Sequence, residues 1–233
     1  TAYEISACLV GSEMCIRDRN NVTILRPFGP SIAKVTIPSE IVEKLNKYVD
    51  ETVADESKSK ELDFGAHLAG NVKQEFRLEQ KFMDESGWGN FLANSAAAWI
   101  HQSLGRKKKI TKFNMIGSWI VRQFDNEYNP LHVHGGHISG VGYLKIPKTF
   151  GKLKQDTKRY NHNGNLNLVH GTRMFLSQAI YNIEPKVGDF YFFPNYLLHT
   201  VYPFNGTNEE RRSISFNALI DNEIYDVYSA NVK

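Results

Sequence analysis

Residues 113–146, FNMIGSWIVRQFDNEYNPLHVHGGHISGVGYLKI, decide the fold class of this 233-residue chain. The runs Phe113–Phe124 and Ile138–Ile146 are rich in apolar and aromatic residues and have the period of two that is typical of strands. Between them lie an Asn-Pro and a Gly-Gly pair, which are turn signals. The stretch therefore predicts two β-strands joined by a connection that carries three histidines.

The strand-like period continues to residue 220, whereas the first half of the chain is mostly helical in pattern. Residues 22–36 predict a strand, a turn and a second strand, followed by a helix with Ser39 as its N-cap and by another helix from about Asn90 to Leu104. Helices followed by many short strands favour a mainly β fold with N-terminal helices, either closed or built from two antiparallel sheets. The further predicted strands are Leu166–Val169, Met174–Tyr181, Phe190–Phe193 and Ser213–Ile220.

Composition excludes several classes of protein. The chain has 28 basic and 25 acidic residues, a net charge of +3, which gives no reason to expect a nucleic-acid partner. The basic run Arg106–Lys112 is interpreted as a solvated turn. The sequence has no apolar stretch of about 18 residues, so a membrane span is not expected. The two cysteines, Cys8 and Cys15, precede the globular part, which favours a reducing, cytoplasmic location.

The histidines are the first candidates for chemistry. His132 and His134 are two residues apart, and in an extended strand such residues point to the same face while Val133 points to the other. Two imidazoles on one face can supply two of the ligands of a divalent transition-metal site. His199, which follows an aromatic strand, is the obvious third ligand.

The strand beginning at Arg211 offers a partner for an anion. Arg211, Ser213 and Ser215 alternate with Arg212 and Ile214, so one face presents a guanidinium with a hydroxyl two residues on. The planar guanidinium suits a carboxylate, which predicts an anionic small molecule. The alternative is a surface arginine paired with the acidic residues at 209 and 210.

Four segments in this order, H-x-H, SGVGYLKIP, VGDFYFFPNYLLHTVYP and RRSISFN, resemble the 2-oxoglutarate and Fe(II)-dependent oxygenases, particularly an uncharacterised bacterial and phage branch. The resemblance covers Phe113 to Ile220. It implies a double-stranded β-helix, which is a jelly-roll, cupin-like barrel. It also implies Fe(II), 2-oxoglutarate as cosubstrate, ascorbate as a candidate reductant, and hydroxylation of an unidentified small molecule or protein side chain with release of succinate and CO2.

The resemblance implies roles for individual residues. His132 and His199 match the two histidine ligands, and Arg211 with Ser213 matches the Arg-x-Ser pair that binds the distal carboxylate of 2-oxoglutarate. Arg212 is the alternative if the register differs, and Tyr143 is a candidate for a hydroxyl contact to the cosubstrate.

One position departs from the family pattern. Most members supply a carboxylate where this chain has His134, which leaves the site one unit more positive and should weaken its hold on the metal. His134 is one candidate ligand for that position and water is another. Asp125, Glu127 and His137 are the remaining substitutes.

The predicted organisation is a non-native or disordered leader at residues 1–19, which resembles a translated sequencing adapter, and one oxygenase domain at 20–233. Within it, residues 20–112 supply strands and support helices and residues 113–233 the β-barrel core. The basic, Asn-rich loop Lys148–Asn165 is expected over or beside the cavity mouth, or as a solvated loop. Two other functions stay open: a catalytically idle metal-binding module or sensor, and a β-sandwich with incidental histidines. The sequence leaves the oligomeric state open.

Overall fold

The structure, a computed structural model, describes residues 22–25, 27, 29–104, 110–155 and 157–226. The predicted leader at 1–19 and most of the basic run Arg106–Lys112 lie outside these residues. The helices are α1 (Ser39–Ala54), α2 (Glu56–Glu61), α3 (Gln80–Ser86), α4 (Trp88–Ser103) and α5 (Asn222–Tyr225), with a 3-10 turn at Gly65–His67. The strands are β1 (Thr23–Leu25), β2 (Ile32–Thr36), β3 (Gln74–Arg77), β4 (Phe113–Gln123), β5 (Asn129–His132), β6 (Ile138–Lys145), β7 (Leu166–Val169), β8 (Ile180–Ile183), β9 (Asp189–Pro194), β10 (Leu198–Val201) and β11 (Arg211–Ile220).

The strands form two antiparallel sheets. Within the described ranges the larger sheet has the order β1-β2-β9-β6-β11-β4-β3, and the smaller has the order β5-β10-β7-β8. Strands that are distant in sequence are neighbours in both sheets, as β11 is of β4 and β6. The predicted mainly β jelly-roll fold with N-terminal helices is confirmed.

Alternation along the strands of the larger sheet divides the core into two parts. Phe190, Phe192 and Phe216 point to the side covered by the helices, where they join the residues of α1, α3 and α4. Tyr191 and Phe193 point the other way, into a smaller cluster shared with β7 and β10. Because the side-chain period of a strand is two, one strand supplies both layers.

The first long helix forms because its apolar residues recur at helical spacing. Ile41, Leu45 and Val49 lie on one buried stripe against the sheet. Ser39 is not the N-cap as predicted, because Pro38 holds that position and its carbonyl accepts hydrogen bonds from Ile41 and Val42. The second long helix, Trp88–Ser103, begins two residues before its predicted start.

One strand prediction was wrong and three strands were not predicted. Residues 174–181 were expected as a strand, but only Ile180 and Tyr181 belong to β8, while Met174 and Ser177 close a tight turn. Phe175 and Leu176 at this turn are 92% and 91% exposed, so their apolar character does not mark a buried face. The unpredicted strands are β3, β5 and β10. None of the described helices is long and apolar enough to cross a bilayer.

The long β6–β7 connection is largely exposed and is attached beside the sheets. Phe150 packs edge-on against Phe204, and Asn161 donates to the Gly151 carbonyl. A cavity lies between the two sheets. Among the described residues it is lined by Leu166 of β7 and by segments other than this loop. The loop therefore corresponds to the solvated alternative in this structure.

Gly142 provides a test of the core packing. A Cβ at this position of β6 would lie 2.4 Å from the Phe190 ring and 3.0 Å from the Asp189 carbonyl oxygen. Because the ring and the backbone are both confined, we expect Gly142→Ala to lower the free energy of unfolding by about 1–3 kcal/mol in urea denaturation. Gly117→Ala in β4 is the control, since a Cβ there meets no atom within 4 Å. Equal effects of the two substitutions would contradict this account of the packing.

Candidate metal centre

Three imidazoles converge at one end of the smaller sheet. His199 in β10 is paired in register with His132 in β5, and His134 follows two residues after the end of β5. One nitrogen of each of the three side chains lies within 4.8 Å of the others. The Nε2 atoms of His134 and His199 are 3.0 Å apart. Antiparallel pairing thus brings together side chains that are 67 positions apart in the chain.

The backbone holds two of these rings in a defined orientation. Nδ1 of His132 lies 2.6 Å from the Pro130 carbonyl oxygen, and Nδ1 of His199 lies 2.9 Å from the Leu197 carbonyl oxygen. A carbonyl only accepts, so Nδ1 carries the proton in both rings and Nε2 keeps its lone pair. This is the outer hydrogen bond that metal-binding histidines commonly make.

Burial also keeps the imidazoles neutral. Loss of hydration, with a smaller effect of the neighbouring imidazoles, lowers the pKa of His134 to about 4 and that of His199 to about 3. Burial lowers the pKa of His132 as well, against the opposing effect of its bond to Pro130. Neutral imidazole is the form that binds a metal ion.

These donors suit a divalent transition metal. Three imidazole nitrogens match the preference of Fe, Zn, Cu and Ni, whereas Ca²⁺ and Mg²⁺ prefer oxygen ligands. Two nitrogens 3.0 Å apart have the spacing of adjacent ligands at metal–nitrogen bonds of about 2.1 Å. The residues present therefore fit a metal ion, with positions left open for other ligands.

Arg211 is buried close to this cluster and is incompletely paired. Its side chain is 1% exposed and lines the same cavity as the three histidines. Nη1 donates to Gln123 Oε1 at 3.1 Å and to Ser213 Oγ at 3.4 Å, whereas Nε and Nη2 make no hydrogen bond. A buried guanidinium with unused donors is costly unless an anion binds it.

Tyr143 in β6 is paired in register with Ser213 and is fully buried. The guanidinium carbon of Arg211 lies 5.1 Å from the centre of its ring, and the hydroxyl has no hydrogen bond of normal geometry. Burial raises the pKa of Tyr143, although the charge of Arg211 opposes this. The phenol is therefore a neutral donor beside a cation.

Arg212 points to the opposite face, and all three nitrogen atoms of its guanidinium donate hydrogen bonds. It donates to both Glu210 oxygens at 2.7 and 3.0 Å, to Asp50 at 2.7 Å, and to the backbone and side chain of Asn46. Arg122 binds the same Glu210 carboxylate at 2.7 Å. Arg212 thus ties α1 to the sheet, and of the two arginines only Arg211 faces the histidines.

The three substitutes for the missing carboxylate lie outside the histidine cluster. Asp125 accepts from the backbone of Gly206 at 2.6 Å, and Glu127 accepts from that of Phe124 at 2.9 Å. His137 stacks on Tyr225, with its Nδ1 3.1 Å from the Ile220 carbonyl oxygen. His134 is the residue that the structure places beside His132 and His199.

Comparison with known proteins agrees with this architecture. Residues 117–217 match the family model described as putative 2OG-Fe(II) oxygenase. The predicted resemblance to the 2-oxoglutarate and Fe(II)-dependent oxygenases is confirmed. No curated protein matches the sequence.

Solved structures show the same fold at low sequence identity. A prolyl-4-hydroxylase from Pseudomonas putida is 15% identical, with a TM-score of 0.51 over 80% of this chain and 91% of that chain. The non-heme alpha-ketoglutarate-dependent epimerase SnoN of nogalamycin biosynthesis is also 15% identical, with a TM-score of 0.52 over 79% and 76%. AviO1 from Streptomyces viridochromogenes is 12% identical, with a TM-score of 0.50 over 81% and 89%.

The fold contains a cavity of about 170 Å³ between its sheets. Its walls contain the three histidines, Arg211 and Ser213. They also contain two side chains that the sequence did not single out, Glu75 in β3 and Trp119 in β4. The four-residue strand β3 has only one apolar residue, Phe76, so its sequence carries no alternation that would reveal it.

Glu75 makes stability depend on pH in an unusual direction. Burial, together with the nearby Asp63 and Glu127 carboxylates, raises its pKa to about 7 from an ordinary value of 4.5. Between these pH values the unfolded chain has lost the proton and the folded chain keeps it. The folded state then binds more protons, so this group's contribution to stability falls as pH rises from about 4.5 to 7.

The pH dependence is measured as a difference between variants. Glu75→Gln should become more stable relative to the wild type as pH rises through this window, by on the order of 2 kcal/mol in urea denaturation. Taking the difference cancels the contributions of the other titrating groups. Glu184→Gln, at an exposed carboxylate, should show no such trend. A difference that does not change with pH for Glu75→Gln would contradict the prediction.

Proposed function

We propose that this protein is a 2-oxoglutarate- and Fe(II)-dependent dioxygenase that hydroxylates an unidentified small molecule or protein side chain, with release of succinate and CO2. One observation carries the proposal. Three neutral imidazoles and a buried, incompletely paired guanidinium line one cavity of the oxygenase fold. A dicarboxylic acid that chelates a metal binds where a metal site lies beside a carboxylate-binding site, and this cavity has residues for both.

We assign His132, His134 and His199 as metal ligands. The carbonyls of Pro130 and Leu197 orient two of the rings, and the short strands β5 and β10 set the distance between them. Bound Fe(II), with dioxygen and 2-oxoglutarate, supplies the oxidising power to hydroxylate an unactivated C–H bond. The protein itself orients the reactants and excludes water from the cavity.

We assign Arg211 as the anchor of the distal carboxylate of 2-oxoglutarate. Nε and Nη2 are the unused donors, and Gln123 fixes Nη1 at 3.1 Å, so the side chain is held before the anion arrives. Ser213 and Tyr143 place two hydroxyl groups beside it. A hydroxyl and a guanidinium together satisfy more of the carboxylate lone pairs than either alone.

The proposal is tested by anaerobic titration of the protein with Fe(II) and 2-oxoglutarate. Chelation of the cosubstrate should produce a weak visible charge-transfer band, which the same protein loaded with Zn(II) should lack. Absence of the band at saturating metal would overturn the proposal. Succinate release in air, with ascorbate held constant and candidate substrates varied, then tests for turnover.

His134 supports a second candidate function. A histidine in place of the usual carboxylate leaves the metal site one charge unit more positive, which favours a metal-binding module or sensor without catalysis. That function predicts the charge-transfer band without succinate release, even with a substrate that binds in the cavity. Succinate release coupled to a product would exclude it.

A further inference from the structure

Glu75 is a buried carboxyl group in the cavity that the proposed metal and cosubstrate sites leave unused. Its side chain is 3% exposed, and Oε1 is buried without a hydrogen-bond partner. Gly70 allows this placement, because a Cβ at that residue would lie 2.7 Å from Oε1. A buried oxygen atom without a hydrogen-bond partner lowers the stability of the fold. Such an atom indicates that a ligand binds to it.

The strand register locates Glu75 relative to the cosubstrate residues. Glu75 in β3 is opposite Val121 in β4, and Val121 is opposite Ser213 in β11. Residues paired in this way point to the same face of the sheet, so Glu75 and Ser213 face the same cavity from strands two apart. Strand spacing then puts their Cα atoms roughly 10 Å from one another. Glu75 is thus away from the Arg211 end of the site.

The surroundings of Glu75 favour a cation. The carboxylates of Asp63 and Glu127 are near enough to influence it electrostatically, and the described residues contain no ion pair to Glu75. Trp119 precedes Val121 by two residues, so its ring lies on the same face, where it is 5% exposed and lines the cavity. A carboxylate beside an indole ring is a common way to hold an ammonium or guanidinium group, by charge and by cation–π attraction.

We propose that Glu75 and Trp119 form the substrate subsite and bind an ammonium or guanidinium group of the substrate. The inference deepens the proposed function and rests on it, because the histidine cluster is taken as the reacting centre. Trp119 also contacts the metal site, with ring centres of Trp119 and His134 5.5 Å apart. A cation held here lies next to the place of reaction.

The test compares small probes that differ in charge. N-acetylcadaverine has one ammonium group, N-acetylagmatine has one guanidinium group, and N,N′-diacetylcadaverine is neutral. Binding is measured by ligand-observed NMR above pH 7, where Glu75 is ionised, on the apoprotein and on protein loaded with Zn(II) and 2-oxoglutarate. We expect both cations to bind the wild type at least tenfold more tightly than the neutral probe, and Glu75→Gln to remove the preference. Glu184→Gln, which alters an exposed carboxylate, should retain it.

The outcomes separate this inference from the proposed function. Equal binding of cationic and neutral probes by the wild type, or a preference that survives in Glu75→Gln, overturns the subsite. A 2-oxoglutarate titration of the same samples tests the cosubstrate site independently. If 2-oxoglutarate fails to bind while the Glu75-dependent preference is present, the oxygenase proposal fails and the cation site stands. Thermal unfolding of Glu75→Gln verifies that the variant is folded.

Discussion

Replacing His199 with alanine is expected to weaken metal binding on the order of 100-fold or more. His199 is 4% exposed, and its Nδ1 is bound to the Leu197 carbonyl, so Nε2 is directed at His134 before any metal arrives. Its removal takes away an oriented ligand and leaves two that come from one short segment of chain. Titration with Co(II), followed by its visible spectrum, measures the affinity.

A matched control is available in another histidine. His162 is exposed and lies outside the cluster, so His162→Ala should bind Co(II) as the wild type does. Comparable losses in both variants, or no loss in His199→Ala, would mean that the cluster is not the metal site. Urea denaturation of His199→Ala separates ligand loss from unfolding, since the variant should keep a cooperative transition.

Local sequence patterns were enough to predict several of the strands that build the two parts of the hydrophobic core. Leu166–Val169 has the predicted bounds, and β4, β6 and β9 differ from their predicted bounds by one residue at each affected end. These runs alternate or are continuously apolar because they are buried, and burial is what periodicity detects. The alternation of Arg211, Ser213 and Ser215 likewise predicted that these three side chains share one face of the strand, and all three line the cavity.

Local sequence patterns could not predict the contacts between segments that are distant in the chain. The pairing of His199 with His132 depends on β5 and β10, which have four residues each and were not predicted as strands. Arg211 and Arg212 are adjacent in β11, and only the ion pairs of Arg212 with Glu210 and Asp50 show that Arg211 is the one that faces the cavity. Phe175 resembles a core residue in sequence but lies at an exposed turn.

Glu75 shows a different limit. It lies at the end of the larger sheet, on a short strand with mixed polar and apolar residues, and no motif surrounds it. Only the register of β3 on β4 places it opposite Val121 and within the cavity. A buried carboxyl oxygen without a hydrogen-bond partner lowers the stability of a fold, and such groups concentrate at functional sites.

Replacing Arg211 with methionine should separate binding from stability. We expect the dissociation constant of 2-oxoglutarate to rise about 10- to 150-fold, because hydrogen bonds to a charged group contribute about 1.5–3 kcal/mol. Stability should stay the same or increase, since methionine replaces a buried cation whose Nε and Nη2 have no partner. Calorimetric titration of the Zn(II)-loaded protein measures the first effect and urea denaturation the second.

Arg212→Met is the contrasting variant and should behave in the opposite way. It breaks the ion pair with Asp50 that joins α1 to the sheet and the ion pair with Glu210, which should cost about 3 kcal/mol of stability because Glu210 is 5% exposed. Its affinity for 2-oxoglutarate should change by less than about twofold, since its guanidinium points away from the cavity. Equal loss of affinity in the two variants would refute the assignment of Arg211, because a general disturbance of β11 would then explain both results.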